Sequence, residues 1–556
     1  MIMAIVSCLA LLSCEKPHED DLVQDVITDE KPAEKPEDKP ETPDTSQVDQ
    51  VHPDYAFVDY SYAGYRRSES APQEGVPEGY EVYDVTDYGA VPDDGISDRE
   101  AFLNTLKAAL KTDYRTDGNG WIVFGHKEKA NAVIYFPDGE FILHTREDDV
   151  NGKSTPIQIR SGNLIIRGAG RDKTILLMQD PNLPRDPSEL YSSPEMLILK
   201  HNSGTAPLPI KAEVAEDSPK GSHSIKVSST ASLHEGQWIC LHVKNNDPDF
   251  VASHVYPYEA DAAWTICKDG AEVIDYHQIK SVEENTVTFH EPLMAEVKAG
   301  YGWELLEYPH YEQIGVEDLT FKGFAKPDFS HHASWEDDGG YKPLCMQRVT
   351  DSWIRRVRFE STSEECTITN SANISVYDVV MEGNRGHSAI RSQASSRVLI
   401  ASTSDRTSDG AGNFHGVGVS KHSIGTVLWR NIWGDDSCFE SHANQPRATL
   451  IDCCSGGWHR GHMGGNHYEA PHHLSDLVIW SFKATDISET DFPWWDTPSW
   501  RFLPPIIAGF EGNVNFTQDQ AIIIDTEGIE SLFEHQLQNR LGHIPAWITE
   551  LKTINK

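Results

Sequence analysis

Cysteine is scarce here, nine residues in 556, and two of the nine, Cys8 and Cys14, stand near the start. The other seven are odd in number and widely spaced, which excludes a disulfide framework. The absence of any Cys-x-x-Cys pair removes the common structural zinc site. Cys453-Cys454 reads as a pair of small apolar strand positions rather than a redox centre. Cations are also short, with 47 Lys and Arg against 87 Asp and Glu and a net charge of −40. That excludes nucleic acid as a partner, since a phosphate backbone is held by clustered Lys and Arg. A polyanion bound in a local basic cleft remains compatible, because long-range repulsion is screened within about 8 Å at physiological salt.

The run Met1 to Ser13 is apolar but too short to span a bilayer as a helix, which takes about 20 residues, so it reads as the core of a secretory signal. It ends in Leu11-Leu12-Ser13-Cys14, which has the form of a lipobox, although no Lys or Arg precedes it. The resemblance to bacterial lipoproteins implies that residues 1–13 are a signal peptide. It also implies that Cys14 is acylated and holds the chain on a membrane. From Glu15 to about Gln50 aromatics are almost absent and Lys-Pro, Glu and Asp recur, as in Glu30-Lys31-Pro32-Ala33-Glu34-Lys35-Pro36. Such a stretch buries too little apolar area to fold, and residues 14–75 are expected to be an extended acidic tether. The cluster Glu19-Asp20-Asp21 resembles the surface-export signal of Bacteroidetes lipoproteins, which implies an outer-membrane, cell-surface location.

The folded part opens at Tyr83-Asp84-Val85-Thr86-Asp87-Tyr88-Gly89-Ala90, followed by an Asp-Gly turn at Asp94-Gly95 and then Ile96-Ser97-Asp98. Ser97 and Glu100 have capping-box spacing, and Phe102, Leu106, Ala109 and Leu110 fall on one helical face. A helix of that kind suits the open end of a stack of strands, where it protects exposed backbone groups. Further on, Val316-x-x-Leu319-x-Phe321, Ile354-x-x-Val357-x-Phe359 and Val376-x-x-Val379-x-Met381 share a template, and Val398 follows Val376 by one more period near 22. One short apolar strand per 22 residues is what a solenoid coil of β-strands requires. The Leu-x-x-Leu-x-Leu-x-x-Asn core of a leucine-rich solenoid is missing.

The "DYGA" opening, Val133 to Phe141 and Leu164 to Gly170 resemble the pectate-lyase superfamily. The fold implied is all-β, a right-handed parallel β-helix with an N-terminal capping helix. Period-two segments such as Gln237 to Val243 add an inserted antiparallel β region. The expected layout is N-terminal coils over 76–180, the insertion over 181–307, main coils over 308–482 and a closing segment over 483–556. From Asn413 onward the chain resembles an uncharacterised C-terminal domain found beside such helices in polysaccharide-degrading bacteria. The long step between Phe321 and Phe359 implies a side loop holding His331-His332, of the sort that carries function on solenoids.

The chemistry concentrates in three neighbouring coils. A lyase acting on a uronic-acid polymer must neutralise the carboxylate and remove the proton at C5. Arg447 and Arg460 have the planar fork for a carboxylate. His415, His442 or Lys421 can serve as base, with the pKa of the lysine lowered by neighbouring cations. Hydrolysis would instead need two carboxyl groups, for which Asp435, Asp436 and Asp409 are the candidates. His459, His462, Trp458 and Trp433 are expected to contact substrate, the tryptophans as exposed stacking platforms with Trp494 and Trp495. A Ca²⁺ ion on Asp435 and Asp436 with Glu440 is a further reading, against the ordinary one of solvated turn acids. The expected function is a surface-held polysaccharide lyase on an acidic glycan; a hydrolase of the polygalacturonase type and a non-catalytic glycan-binding protein are the alternatives.

Overall fold

The computed structural model describes residues 55–201, 208–486, 491–496, 500–517 and 519–554; Cys14 and the tether as far as residue 54 lie outside the described residues. Among the described residues no helix is long and apolar enough to cross a membrane.

The apolar template pairs in register. Val316, Ile354 and Val376 are parallel neighbours, as are Leu319, Val357 and Val379, and Phe321, Phe359 and Met381. All nine are buried in one core. A flat strand would send positions i and i+3 to opposite faces. Here Asp318, Arg356 and Asp378 take positive φ (60°, 53° and 52° in the order Asp318, Asp378, Arg356), and each turns a corner that brings the residues on both sides inward. The Val-x-x-Leu spacing is thus a strand, a left-handed corner and a second strand. The same corner recurs at Ser402, Arg430, Cys453 and Ser481. A non-glycine residue in that region costs on the order of 1 kcal/mol or more. The two arginines recover part of it through ion pairs, Arg356 with Asp318 at 2.6 Å and Arg430 with Glu534 at 2.8 Å.

Onward from Ile354 the partners are Val376, Ile400, Leu428, Ile451, Ile479, Ile507 and Ile523, so the coils continue without a break to the last strand, Ile522–Ile524. Coil length varies from one to the next: Val376 pairs with Ile400, not Val398, because the turn before it is two residues longer. A second parallel sheet carries the strands Ile157–Ile159, Leu197–Lys200, Leu344–Gln347, Glu364–Thr369, Ser388–Gln393, Gly418–Ser420 and Glu440–His442. The two sheets enclose one column of apolar side chains. The chain is a parallel β-helix.

Four boundaries differ from the sequence reading, each for a packing reason. The helix Arg99–Leu110 does bury Phe102, Leu106, Ala109 and Leu110, but no Ser97–Glu100 capping box forms. Asp98 is its N-cap, and the Asp98 carboxylate instead accepts from the backbone of Val91 (2.9 Å) and Ile142 (3.1 Å), tying helix to coil. Residues 55–75 are not tether: Phe57, Tyr60 and Tyr65 are buried against the coils. The inserted antiparallel sheet begins at Ile210, since Leu197–Lys200 pairs in the column between Ile157–Ile159 and Leu344–Gln347. The helices Leu532–Leu541 and Ala546–Leu551 cover the outer flank of the first sheet, packing with Trp429, Leu450 and Trp480, rather than closing its end. Cys454 is buried as read, whereas Cys453 occupies a half-buried corner, and no disulfide joins the seven body cysteines.

Candidate functional site

The outward face of the second sheet is polar along its length. Lys200, Gln347, Thr369, Gln393, Ser420 and His442 are consecutive register partners and form one rung across six coils. Neighbouring members stand about 4.8 Å apart, the strand spacing. Five of the six are half-buried and Ser420 is buried, so the rung floors a groove rather than a convex surface. The inserted sheet walls the ends where these strands finish. Tyr308 donates to the Asn370 carbonyl at 2.7 Å, Ser396 accepts from the Tyr276 backbone at 3.0 Å, and Gln445 donates to the Gly270 carbonyl at 3.1 Å. The opposite wall is the long loop after Phe321. Its residue His331 stacks on Phe414 with centroids 3.9 Å apart and planes at 13°.

One step along the strands from the rung lie Thr367, Arg391, Gly418 and Glu440, again in register. Gly418 has no side chain between Arg391 and Glu440, and the guanidinium meets the carboxylate across it. Glu440 is fully buried and also accepts from His442 Nδ1 at 2.5 Å, with His415 Nδ1 at 3.6 Å. Burial by itself would raise the Glu440 pKa; Arg391, His415 and His442 overcome it and hold the group well below the usual carboxylate range. With Nδ1 of His442 directed to Glu440, Nε2 is the ring nitrogen left for the groove, the arrangement in which a carboxylate orients an imidazole base. Burial, reinforced by Arg391, lowers the Lys421 pKa against the opposing effect of Glu469. Glu469 has its pKa raised by burial, with His442 and Lys421 acting the other way.

His415, His442 and Lys421 therefore converge. His462 joins them through its backbone carbonyl, which accepts from His415 Nδ1 at 2.8 Å. The remaining candidates go elsewhere. Arg447 is buried beneath the inserted sheet, donating to the Glu272 carbonyl at 2.9 Å. Arg460 pairs with Asp496 at 3.0 Å. Asp436 is held by Arg385 at 2.8 Å, Asp435 accepts from the Thr485 hydroxyl at 2.6 Å and, through its carbonyl, from His459 at 2.7 Å, and Asp409 is an exposed corner residue. With Glu440 committed to Arg391, these acids do not assemble the calcium site. Trp433 and Trp458 are core residues, Trp458 fully enclosed, and Trp494 is buried with them; none offers a face to a ligand. Trp495 stacks on Tyr258 at 3.8 Å.

Sequence reasoning missed Arg391, Glu469 and His387. Arg391 and Glu440 belong together only through strand register. His387 follows Gly386 in a turn whose neighbours give no motif. His387 is buried, and His331, His332 and His387 each bring a ring nitrogen within 4.8 Å of the others. His331 Nε2 lies 3.2 Å from His415 Nε2, so this group adjoins the Glu440 centre.

Residues 412–551 match the family described as Domain of unknown function (DUF4955). The matched stretch contains His415, Lys421, His442 and Glu469 but not the histidine loop or Arg391. No curated protein matches in sequence. Among solved structures, the A-module of the mannuronan C-5 epimerase AlgE4 from Azotobacter vinelandii is 12% identical with a TM-score of 0.37, over 80% of this chain and 95% of that one. PfbA, a surface adhesin of Streptococcus pneumoniae, is 10% identical with a TM-score of 0.38, over 81% and 80%. A hyperthermoactive exopolygalacturonase from Thermotoga maritima is 10% identical with a TM-score of 0.33, over 83% and 95%.

Proposed function

We propose that this protein is a polysaccharide lyase that cleaves a uronic-acid-containing glycan by β-elimination. The observation that carries the reading is the half-buried polar rung from Lys200 to His442, which ends at an imidazole held by the buried Glu440 carboxylate. An extended chain of sugars laid along the rung meets a hydrogen-bonding side chain at every coil. His442 Nε2 takes the proton from C5, and the Lys421 ammonium faces the uronate carboxylate, making that proton more acidic. The electron pair forms the C4–C5 double bond as the C4–O bond breaks. Glu469, whose pKa burial raises, protonates the departing oxygen. Hydrolysis by paired Asp is less well served, since Asp435 and Asp436 are engaged with Thr485 and Arg385.

The test is incubation of the purified protein with a panel of acidic polysaccharides. Ultraviolet absorbance from the conjugated double bond supports the lyase. New reducing ends without absorbance mean a hydrolase, and binding with neither means a capture protein; both overturn the reading. The lipobox-like run ending at Cys14 supports export and lipid anchoring at the outer membrane. Radiolabelled fatty acid incorporated by the unaltered chain but not by Cys14→Ala is the expected result.

A further inference from the structure

The groove reading makes no use of His387, although its ring is a conspicuous problem for the fold. It is 96% buried by its 4% exposure, and neither ring nitrogen has a hydrogen-bond partner. A buried imidazole left so is unfavourable, since both nitrogens lose water without gaining a partner. Around it stand three further histidine rings, with centroids at 5.3 Å for His331, 5.4 Å for His332 and 5.1 Å for His415. Among the described residues, His331, His332 and His387 are the group of three whose ligand atoms lie mutually within 4.8 Å.

We propose that His331, His332 and His387 form a binding site for a divalent transition-metal ion, with zinc the best fit. Three imidazoles suit zinc and its neighbours in the first transition row, whereas calcium and magnesium take oxygen ligands. A tetrahedral zinc with Zn–N bonds of about 2.0–2.1 Å sets its ligand nitrogens roughly 3.3 Å apart. The ligand nitrogens of His331, His332 and His387, mutually within 4.8 Å, stand close to that spacing. His332 is already oriented as metal-ligating histidines are: Nδ1 donates to the buried Asp338 carboxylate at 2.9 Å, which directs Nε2 away from it. The Tyr191 hydroxyl lies beside the same ring, 2.8 Å from Nδ1 and 3.0 Å from Nε2. The site would join the loop after Phe321 to the strand Ser388–Gln393, fixing the wall of the groove. It does not depend on the glycan reading.

The full-length protein, stripped with chelator, is titrated with Zn²⁺ by calorimetry and with Co²⁺ by visible absorption. One equivalent of Zn²⁺ per chain is expected, with an intense four-coordinate cobalt spectrum and no heat from Ca²⁺. His387→Ala and His332→Ala each weaken zinc binding at least 100-fold, Asp338→Asn weakens it about 10–100-fold, and the exposed His543→Ala leaves it unchanged. Zinc binding unaltered in His387→Ala and His332→Ala overturns the proposal, as does equal affinity for Ca²⁺. Should the alanine variants misfold, the cobalt spectrum of the unaltered chain decides: a weak six-coordinate spectrum, or no uptake, overturns it.

Discussion

Arg391 and Glu440 sit two coils apart and meet over Gly418, the register partner of both. A Cβ at Gly418 would drive into the Glu440 backbone carbonyl and crowd its side chain. Gly418→Ala should therefore push the coils apart and strain the pair, at a cost of about 1–3 kcal/mol from overpacking. Thermal and urea unfolding check this; an unchanged midpoint would mean that the coils yield without loss.

Breaking the pair from one side should be worse than removing both partners. Glu440→Gln leaves the Arg391 guanidinium buried without its counter-charge, which costs about 3–5 kcal/mol, while Arg391→Met with Glu440→Met together should cost markedly less. The pH dependence has a definite sign. The folded-state pKa of Glu440 is depressed, so its contribution is complete above the ordinary glutamate value and is lost as pH falls through the lower folded value. Unfolding midpoints measured downward from pH 5 should drop less steeply in the double methionine variant than in the unaltered chain. Equal slopes would show that Glu440 does not govern acid stability.

The column was legible from residues because its signal is local. A valine, a leucine and a phenylalanine at fixed offsets must be buried together, and the register of Val316, Ile354 and Val376 follows from that alone. The candidate cluster was legible only at His415, Lys421 and His442, in or beside the strands Gly418–Ser420 and Glu440–His442. Arg391 was hidden because its partner is 49 residues away, and nothing in the sequence says that one coil holds 22 residues and another 28. Trp433 and Trp458 misled for the opposite reason. An aromatic in an irregular segment resembles an exposed platform until the packing of Phe482, Phe492 and Phe510 around Trp458 is seen. Arg447 failed as a groove residue because its neighbour is the insertion, whose path over the coils no spacing encodes.

Asp452 offers a prediction of opposite sign on the outer flank. Its carboxyl accepts from the Ser531 hydroxyl at 2.7 Å and the Phe533 backbone at 2.8 Å, and burial raises its pKa to about 7. A raised folded-state pKa means that stability is complete below the ordinary aspartate value and declines as pH rises towards 7. Asp452→Asn should remove that decline. The variant gains on the unaltered chain between pH 4 and 7 by on the order of a few kcal/mol, at about 1.4 kcal/mol per unit. Parallel unfolding curves across that range would show that the carboxyl ionises as freely folded as unfolded.

The proposed chemistry separates residues that act from residues that support. His442→Gln removes the base while keeping a hydrogen-bonding group near Glu440, and Lys421→Met removes the charge while keeping the aliphatic stem. Each should lower kcat on the polysaccharide that reports turnover by about 10²–10⁴-fold, the range for a positioned acid or base. KM should change less for His442→Gln, because His442 is only the last member of the Lys200–His442 rung. Arg460→Ala, which severs an outlying ion pair with Asp496, should leave both constants near their original values. Trp458→Ala should cost about 3–5 kcal/mol of stability through the cavity it leaves. Its kcat should hold wherever the chain remains folded, since the ring is fully enclosed. If Arg460→Ala were to abolish turnover while His442→Gln retained it, the reacting centre would lie at the Asp496 end of the molecule and not at Glu440.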